Sequence, residues 1–221
     1  MNTITSTPFV PLLEQLFADS ERTKRDFRER MGNLSPEDRA ALMANTDPLE
    51  LYAKAKDVHL AVSRETAHLL YILARSSGAR AIVEFGASFG ISTLHLAAAL
   101  RDLGGGRLIS SEFEPSKVAH ARENLSRAGL LDLVDLRAGD ALRTFARDLP
   151  SQIDLLFLDG AKPLYLPVLS LAEPYLRAGA LVIADNADGS PDYLRHIRNS
   201  RKYLSTRFND LELAIKLCET T

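Results

Sequence analysis

Val83-Glu84-Phe85-Gly86-Ala87-Ser88-Phe89-Gly90-Ile91-Ser92 marks the place where a short apolar run, Ala81–Phe85, meets a glycine turn and gives way to the helical pattern of Ile91–Leu103. Such a junction reads as strand, turn, helix. Outward from it the alternation repeats. Arg107–Ser111 precedes Ser116–Ala128, Val134–Leu136 precedes Ala141–Leu149, Ile153–Leu158 precedes Leu164–Leu176, and Ala180–Ala184 follows. Strands alternating with helices predict an α/β fold, a mostly parallel sheet with helices on both faces. Ser205–Phe208 and Leu211–Leu217 are strand-like runs separated by Asn209-Asp210, which predicts an antiparallel edge hairpin and brings the sheet to seven strands.

Residues before this repeat read as helices. Leu12, Leu13 and Leu16 share a face, and Ser35-Pro36-Glu37-Asp38 has the N-cap, the N1 proline and the early acids of a helix start. Ala67, Leu70, Tyr71 and Ala74 place a further helix over Arg64–Ser76, with Gly78 to end it. The expected division is a helical N-terminal extension over 1–60 and one α/β domain over 61–221. Lys and Arg total 27 against 29 Asp and Glu, a net charge of -2, so there is no global positive field to hold a nucleic acid. Cys218 is the lone cysteine, which excludes an internal disulfide or thiolate cluster and fits a reducing cytoplasm. The apolar stretch from Phe9 to Phe17 is short and broken by Pro11 and Glu14, so neither a signal peptide nor a membrane span is expected.

Ligands of such sheets bind beyond the carboxyl ends of the strands, where the glycine turn lies. The turn lacks the three glycines of G-x-G-x-x-G and no P-loop lysine follows, while Glu84 just before it would repel phosphate. S-adenosylmethionine carries a sulfonium, an ammonium, a ribose diol and no phosphate, and so suits Glu84 beside Gly86. Glu112, 26 residues after Gly86 at the end of the second strand, is placed to accept both ribose hydroxyls. Asp140, in Gly139-Asp140-Ala141 after the third strand, is placed to accept from an adenine amino group. Singly these residues also read as a tight turn, a surface carboxylate and a helix N-cap; their order after successive strands favours the cofactor.

With those residues in place, the chain resembles the class I methyltransferases, and within them the metal-dependent O-methyltransferases of the catechol and caffeoyl-coenzyme A type, over about Val62 to Leu217. The opening stretch is similar to the E-x-G-x-x-x-G-x-S cofactor loop, in which Ser92 matches the serine that meets the methionine carboxylate. Glu112-Phe113-Glu114-Pro115 is similar to the ribose segment. Phe157-Leu158-Asp159-Gly160-Ala161-Lys162 followed by Tyr165 resembles the D-x-x-K-x-x-Y metal and catalytic motif, and Ile183-Ala184-Asp185-Asn186 the second metal motif. The resemblance implies a Rossmann-like methyltransferase fold, cofactor contacts from Glu84, Gly86, Ser92, Glu112, Asp140 and Ala141, and a homodimer formed through the helical N-terminus. Packing of Leu12, Leu13, Leu16 and Phe17 on the protein's own sheet is the other reading of that face.

From the residues alone, Asp159 ends the fourth strand and Asp185-Asn186 the fifth. Two carboxylates and an amide oxygen make a hard site suited to Mg²⁺ or Ca²⁺. The turn-rich run Asn186-Ala187-Asp188-Gly189-Ser190-Pro191 offers plain loop chemistry as the alternative. The five histidines show no ligand spacing, against zinc. The expected reaction is O-methylation of a small, phenolic or catechol-like molecule: its hydroxyl binds the metal, loses its proton to Lys162 and attacks the sulfonium methyl. The chain departs from the family at Gly160 and Ala161, where relatives carry an aspartate or an aromatic residue, which leaves less side chain to wall the acceptor. Arg195, Arg198, Arg201 and Lys202 read as a solvated face or as an attractor for an anionic thioester. A nitrogen or carboxylate acceptor, a noncatalytic binder of S-adenosylmethionine and a nicotinamide oxidoreductase remain open at this point.

Overall fold

The computed structural model describes residues 2–33 and 57–218, so the helix start expected at Ser35 lies outside it. Seven strands, β1 (Ala81–Phe85), β2 (Arg107–Glu112), β3 (Val134–Ala138), β4 (Ile153–Leu158), β5 (Leu176–Asp185), β6 (Tyr203–Phe208) and β7 (Leu211–Lys216), form one sheet. Its order is β3-β2-β1-β4-β5-β7-β6; β1 to β5 run parallel, and β7 is antiparallel to β5 and β6. The strand order switches direction between β1 and β4, so a crevice opens beyond their carboxyl ends. Phe208 pairs with Leu211 across a two-residue turn whose Asn209 has φ 53°, the hairpin that Asn209-Asp210 signals.

The helices are α1 (Phe9–Gly32), α2 (Arg64–Ser76), α3 (Ile91–Asp102), α4 (Pro115–Arg127), α5 (Ala141–Thr144), α6 (Tyr165–Ala172) and α7 (Pro191–Asn199). Side chains alternate across the sheet: Ile82, Leu155 and Phe157 join one core with α1 to α4, while Val83, Leu156 and Leu158 join another with α5 to α7. Strands buried on both faces read as continuous apolar runs, and each fully buried Leu, Ile or Phe contributes roughly 1.5–3 kcal/mol. In α3 every residue from Ile91 to Leu100 is buried, because the sheet lies on one side and α1 and α2 on the other. His95 sits at that junction with Phe9 and Phe17 edge-on at 5.7 and 6.5 Å, and burial pushes its pKa down to about 4. Leu12, Leu13, Leu16 and Phe17 are thus buried against the protein's own core.

Several boundaries differ from the sequence reading, two of them with a cause visible in the contacts. The helix expected over Ala141–Leu149 stops at Thr144, because the Arg137 guanidinium takes the carbonyls of Thr144, Arg147 and Asp148, and Asp148 turns to φ 54°. Strand β5 starts at Leu176 rather than Ala180: Leu176 pairs with Ile153 across a register shift, and Arg177 is tied to Asp154 at 2.6 Å.

The segment from Asp57 to Ser63 runs beside α1, which pins it with one face. Ser20 Oγ donates to His59 O (3.0 Å), Thr23 Oγ1 accepts from His59 N (3.2 Å) and Lys24 Nζ donates to Ala61 O (2.9 Å). Ser63 then caps α2 by accepting from Thr66 N. Among the described residues no helix is long and apolar enough to cross a membrane.

Candidate active site

A cavity of about 680 Å³, open to solvent at its mouth, lies over the carboxyl ends of the strands on either side of the switch point. Its floor is the glycine turn. Gly86 and Ala87 both donate to Ser111 O at 3.0 Å, which draws the turn onto β2. Gly86 has φ +101°, and a Cβ there would stand 2.6 Å from the Asp159 carbonyl oxygen, so this position brings β1 and β4 together only without a side chain. Ser88 has φ 47°, a conformation that costs a non-glycine residue of the order of 1–3 kcal/mol. The strained turn aims the Ser88 N–H at Glu112 Oε2 (2.8 Å), while Glu114 N–H reaches Oε1 (2.9 Å).

Glu112 is therefore fixed by one backbone donor on each oxygen and keeps further lone pairs for a ligand. It lines the cavity, as do Gly86, Asp140, Ala141 and Asp159. Asp140 serves twice: Oδ1 caps α5 by accepting from Leu142 N (2.9 Å), and the same side chain forms part of the cavity wall. Glu84 and Ser92 sit behind the wall. Glu84 Oε2 accepts from Ser110 Oγ (2.5 Å) and Thr93 Oγ1 (2.6 Å), bolting β1 to β2 and α3. Burial raises its pKa against the opposing pull of the Ser110, Ser92 and Thr93 hydroxyls, and Oε1 has no hydrogen-bond partner among the described residues.

At the other end, Asp159 continues the β1–β4 pairing by donating its N–H to Phe85 O (2.8 Å). Lys162 Nζ lies 3.5 Å from Asp159 Oδ1 and donates to Tyr165 Oη (2.6 Å) and Asp185 O (3.0 Å); Tyr165 donates to Asp185 O (2.8 Å). Asn186 adopts a left-handed turn and its amide NH₂ donates to Asp185 Oδ2. Burial holds the Asp159 carboxyl well above the usual carboxylate range; Lys162 opposes this, while the charges of Asp185 and Glu84 add to it. The sheet thus brings Asp159, Lys162, Asp185 and Asn186 together at one edge.

Gly160 is explained by a neighbour far away in sequence. A Cβ at Gly160 would run into the ring of Phe85, which lines the cavity and packs edge-on to Tyr165 at 6.3 Å. Phe85, Leu164 and Leu60 supply the apolar wall that Gly160 and Ala161 leave out. The basic cluster is largely paired: Arg198 forks onto Glu212 (2.6 and 2.9 Å), Lys202 meets Glu173 (2.8 Å) and Arg195 meets Asp192 (3.2 Å). Sequence reading missed Phe85, Phe113 and Lys117 as cavity residues. The signals were weak: an apolar neighbour of each acid for the two phenylalanines, and for Lys117 only its place in the first turn of α4.

A family described as a methyltransferase domain matches residues 83–187. The chain is 36% identical over 149 residues to a catechol O-methyltransferase of Niastella koreensis, covering 66% of this chain and 65% of that protein. It is 30% identical over 163 residues to catechol O-methyltransferase of Sus scrofa, covering 70% of this chain and 86% of that one. The chain spans 50% to 65% of the length of the first three curated relatives it matches. Among solved structures, the O-methyltransferase TomG of Streptomyces achromogenes, involved in tomaymycin synthesis and solved with S-adenosylmethionine, aligns with a TM-score of 0.64 at 28% identity. That alignment covers 79% of this chain and 91% of the other.

Proposed function

Because this chain belongs to the S-adenosylmethionine-dependent O-methyltransferases related to catechol O-methyltransferase, with the class I fold, we propose that it methylates a hydroxyl of a small phenolic or catechol-like molecule. One observation carries the reading. A single cavity has Glu112, Phe113 and Asp140 at one end and Asp159, Gly160 and Ala161 at the other, so a nucleoside held at the first end points its reactive arm at the second. Glu112 would take the ribose hydroxyls, the apolar ring of Phe113 would border the adenine, and Asp140 would accept from the adenine amino group.

Asp159, Asp185 and Asn186 fit a hard divalent cation. The Asp159 and Asp185 carboxylates crowd each other, with Lys162 beside Asp159 alone, and the Asn186 amide needs only a half-turn to present its oxygen. Among the described residues no three of His, Cys, Asp and Glu gather, so water or acceptor oxygens would complete the shell. A phenolic hydroxyl titrates near about 10, and a bound cation would supply stabilisation of its oxyanion.

Lys162 is the residue we assign to the proton. Its Nζ donates to Tyr165 Oη and Asp185 O and lies 3.5 Å from Asp159 Oδ1; to act as the base it first gives a proton to solvent, which its side chain reaches, and then takes the one from the acceptor hydroxyl. The Tyr165 hydroxyl, which accepts from Lys162 and donates to Asp185 O, keeps the amine aimed. The acceptor oxygen then attacks the methyl carbon, the carbon–sulfur bond breaks, and S-adenosylhomocysteine leaves as the neutral thioether. Exposed, free Cys218 supports a reducing compartment such as the cytoplasm.

The test is S-adenosylhomocysteine production from catechols, hydroxycinnamoyl thioesters and other phenols, after chelation, with and without Mg²⁺. Magnesium-dependent turnover supports the whole reading. Equal turnover without metal removes the metal from it, and cofactor binding without turnover on any hydroxyl removes the acceptor class.

A further inference from the structure

Lys117, in the first turn of α4, is the one Lys or Arg among the described residues that is buried, with 3% of its surface exposed. Its side chain lines the same cavity as Glu112 and Phe113. No hydrogen bond reaches its ammonium from a described residue; what it has within the protein is the Phe89 ring, whose centroid is 5.8 Å away, near the outer limit of a cation–π contact. Burial lowers its pKa, and the charges of Glu112, Glu114 and Asp57 oppose that. With the rest of the side chain buried, the ammonium is left to draw its acceptors from the cavity that Lys117 lines, and such groups in folded proteins have partners. The place therefore calls for ligand oxygens.

The inference rests on the cofactor reading above and deepens it. S-adenosylmethionine has no phosphate to offer, and the oxygens nearest Glu112 would be those of the ribose. A carboxylate accepts only, so Glu112 takes the hydroxyl protons and leaves the hydroxyl oxygens wanting a donor. An ammonium donates only. We propose that Lys117 is a cofactor-binding residue that donates to a ribose hydroxyl oxygen and closes, with Glu112, a two-sided clamp on the diol. Glu112 supplies one side from β2, locked by two backbone N–H groups; Lys117 supplies the other from α4.

Calorimetric titration tests this with S-adenosylhomocysteine and its 2′,3′-dideoxy analogue on the wild type, Lys117→Met and Lys117→Arg. Loss of the clamp weakens S-adenosylhomocysteine binding at least tenfold in Lys117→Met while leaving the dideoxy analogue within twofold of wild type. Lys117→Arg, which keeps the charge, restores at least a third of the lost affinity. Equal weakening of both ligands would make Lys117 a packing residue and overturn the proposal, as would an unchanged affinity for S-adenosylhomocysteine. If Lys117→Met does not fold, Lys117→Ala, which also removes the ammonium, reads the same contrast: a changed ratio between the two ligands supports the clamp and an unchanged ratio overturns it. A wild type that binds neither ligand overturns the cofactor reading itself, a separate result.

Discussion

The two ends of the cavity are built by different means. At the Glu112 end the backbone does the holding: N–H groups of Ser88 and Glu114 fix the carboxylate, and N–H groups of Gly86 and Ala87 fix the turn. At the Asp159 end side chains do the holding, Lys162 and Tyr165 on each other and on the Asp185 carbonyl and Asn186 on the Asp185 carboxylate, with the acidic charge only partly offset. A site set by backbone is tolerant of what surrounds it. A site set by mutually dependent side chains is sensitive to each member, which suits a place where a proton has to move.

The largest expected effect probes the second end. Lys162→Ala should lower turnover by about 10²–10⁴-fold, the usual contribution of a positioned base, with S-adenosylhomocysteine affinity within threefold of wild type. Lys162→Arg keeps the cation but not the base, and turnover that survives in it would remove the proton-accepting role. At the first end, Glu112→Gln should weaken S-adenosylhomocysteine by about 10–100-fold, as expected for hydrogen bonds to a charged group, and calorimetry reads it. If both substitutions lowered turnover and affinity together, the division between the two ends would fail.

A third test addresses the wall between them. Gly160→Ala should destabilise by about 1–3 kcal/mol through collision with the Phe85 ring, while Gly160→Ala with Phe85→Leu recovers most of it in urea unfolding. Equal destabilisation with and without the second change would mean that the ring is not the obstacle.

The smallest effect lies outside the cavity, at Glu173, whose carboxylate accepts from Lys202, His196 and Tyr203. Burial works against its ionisation, but these three donors outweigh it and hold the pKa at about 2, below the ordinary 4.5. The stabilisation is thus full above about pH 4.5 and is lost as pH falls through about 2. Glu173→Gln should cost about 1–2 kcal/mol at pH 7, and its melting temperature should converge on that of wild type as the pH drops through this window.

Legibility in the sequence divides along the same line. Every strand was legible, and so was the gathering of Gly86, Glu112, Asp140 and Asp159 beyond the strand ends, because apolar periodicity and turn chemistry are written locally. The early stop of α5 was not, since it depends on Arg137 reaching across to three carbonyls. Nor was the position of Glu84, which reads as a cofactor contact until Ser110 and Thr93 are seen to draw it behind the turn. The apolar face of α1 was visible, but not that Ser20, Thr23 and Lys24 on another face pin the segment bearing Leu60. What was missed is what depends on side-chain contacts that no local pattern records.

The contact of Phe85 with Gly160 also limits the order in which this protein can change over generations. A lineage that acquires a side chain at 160 before the ring at 85 has shrunk or turned passes through an impaired intermediate, whereas the reverse order opens space first and fills it later. The two positions, 75 residues apart, are sterically coupled. Exchange at either is conditional on the state of the other, so a bulky residue at 160 is expected to have been preceded by a change at 85.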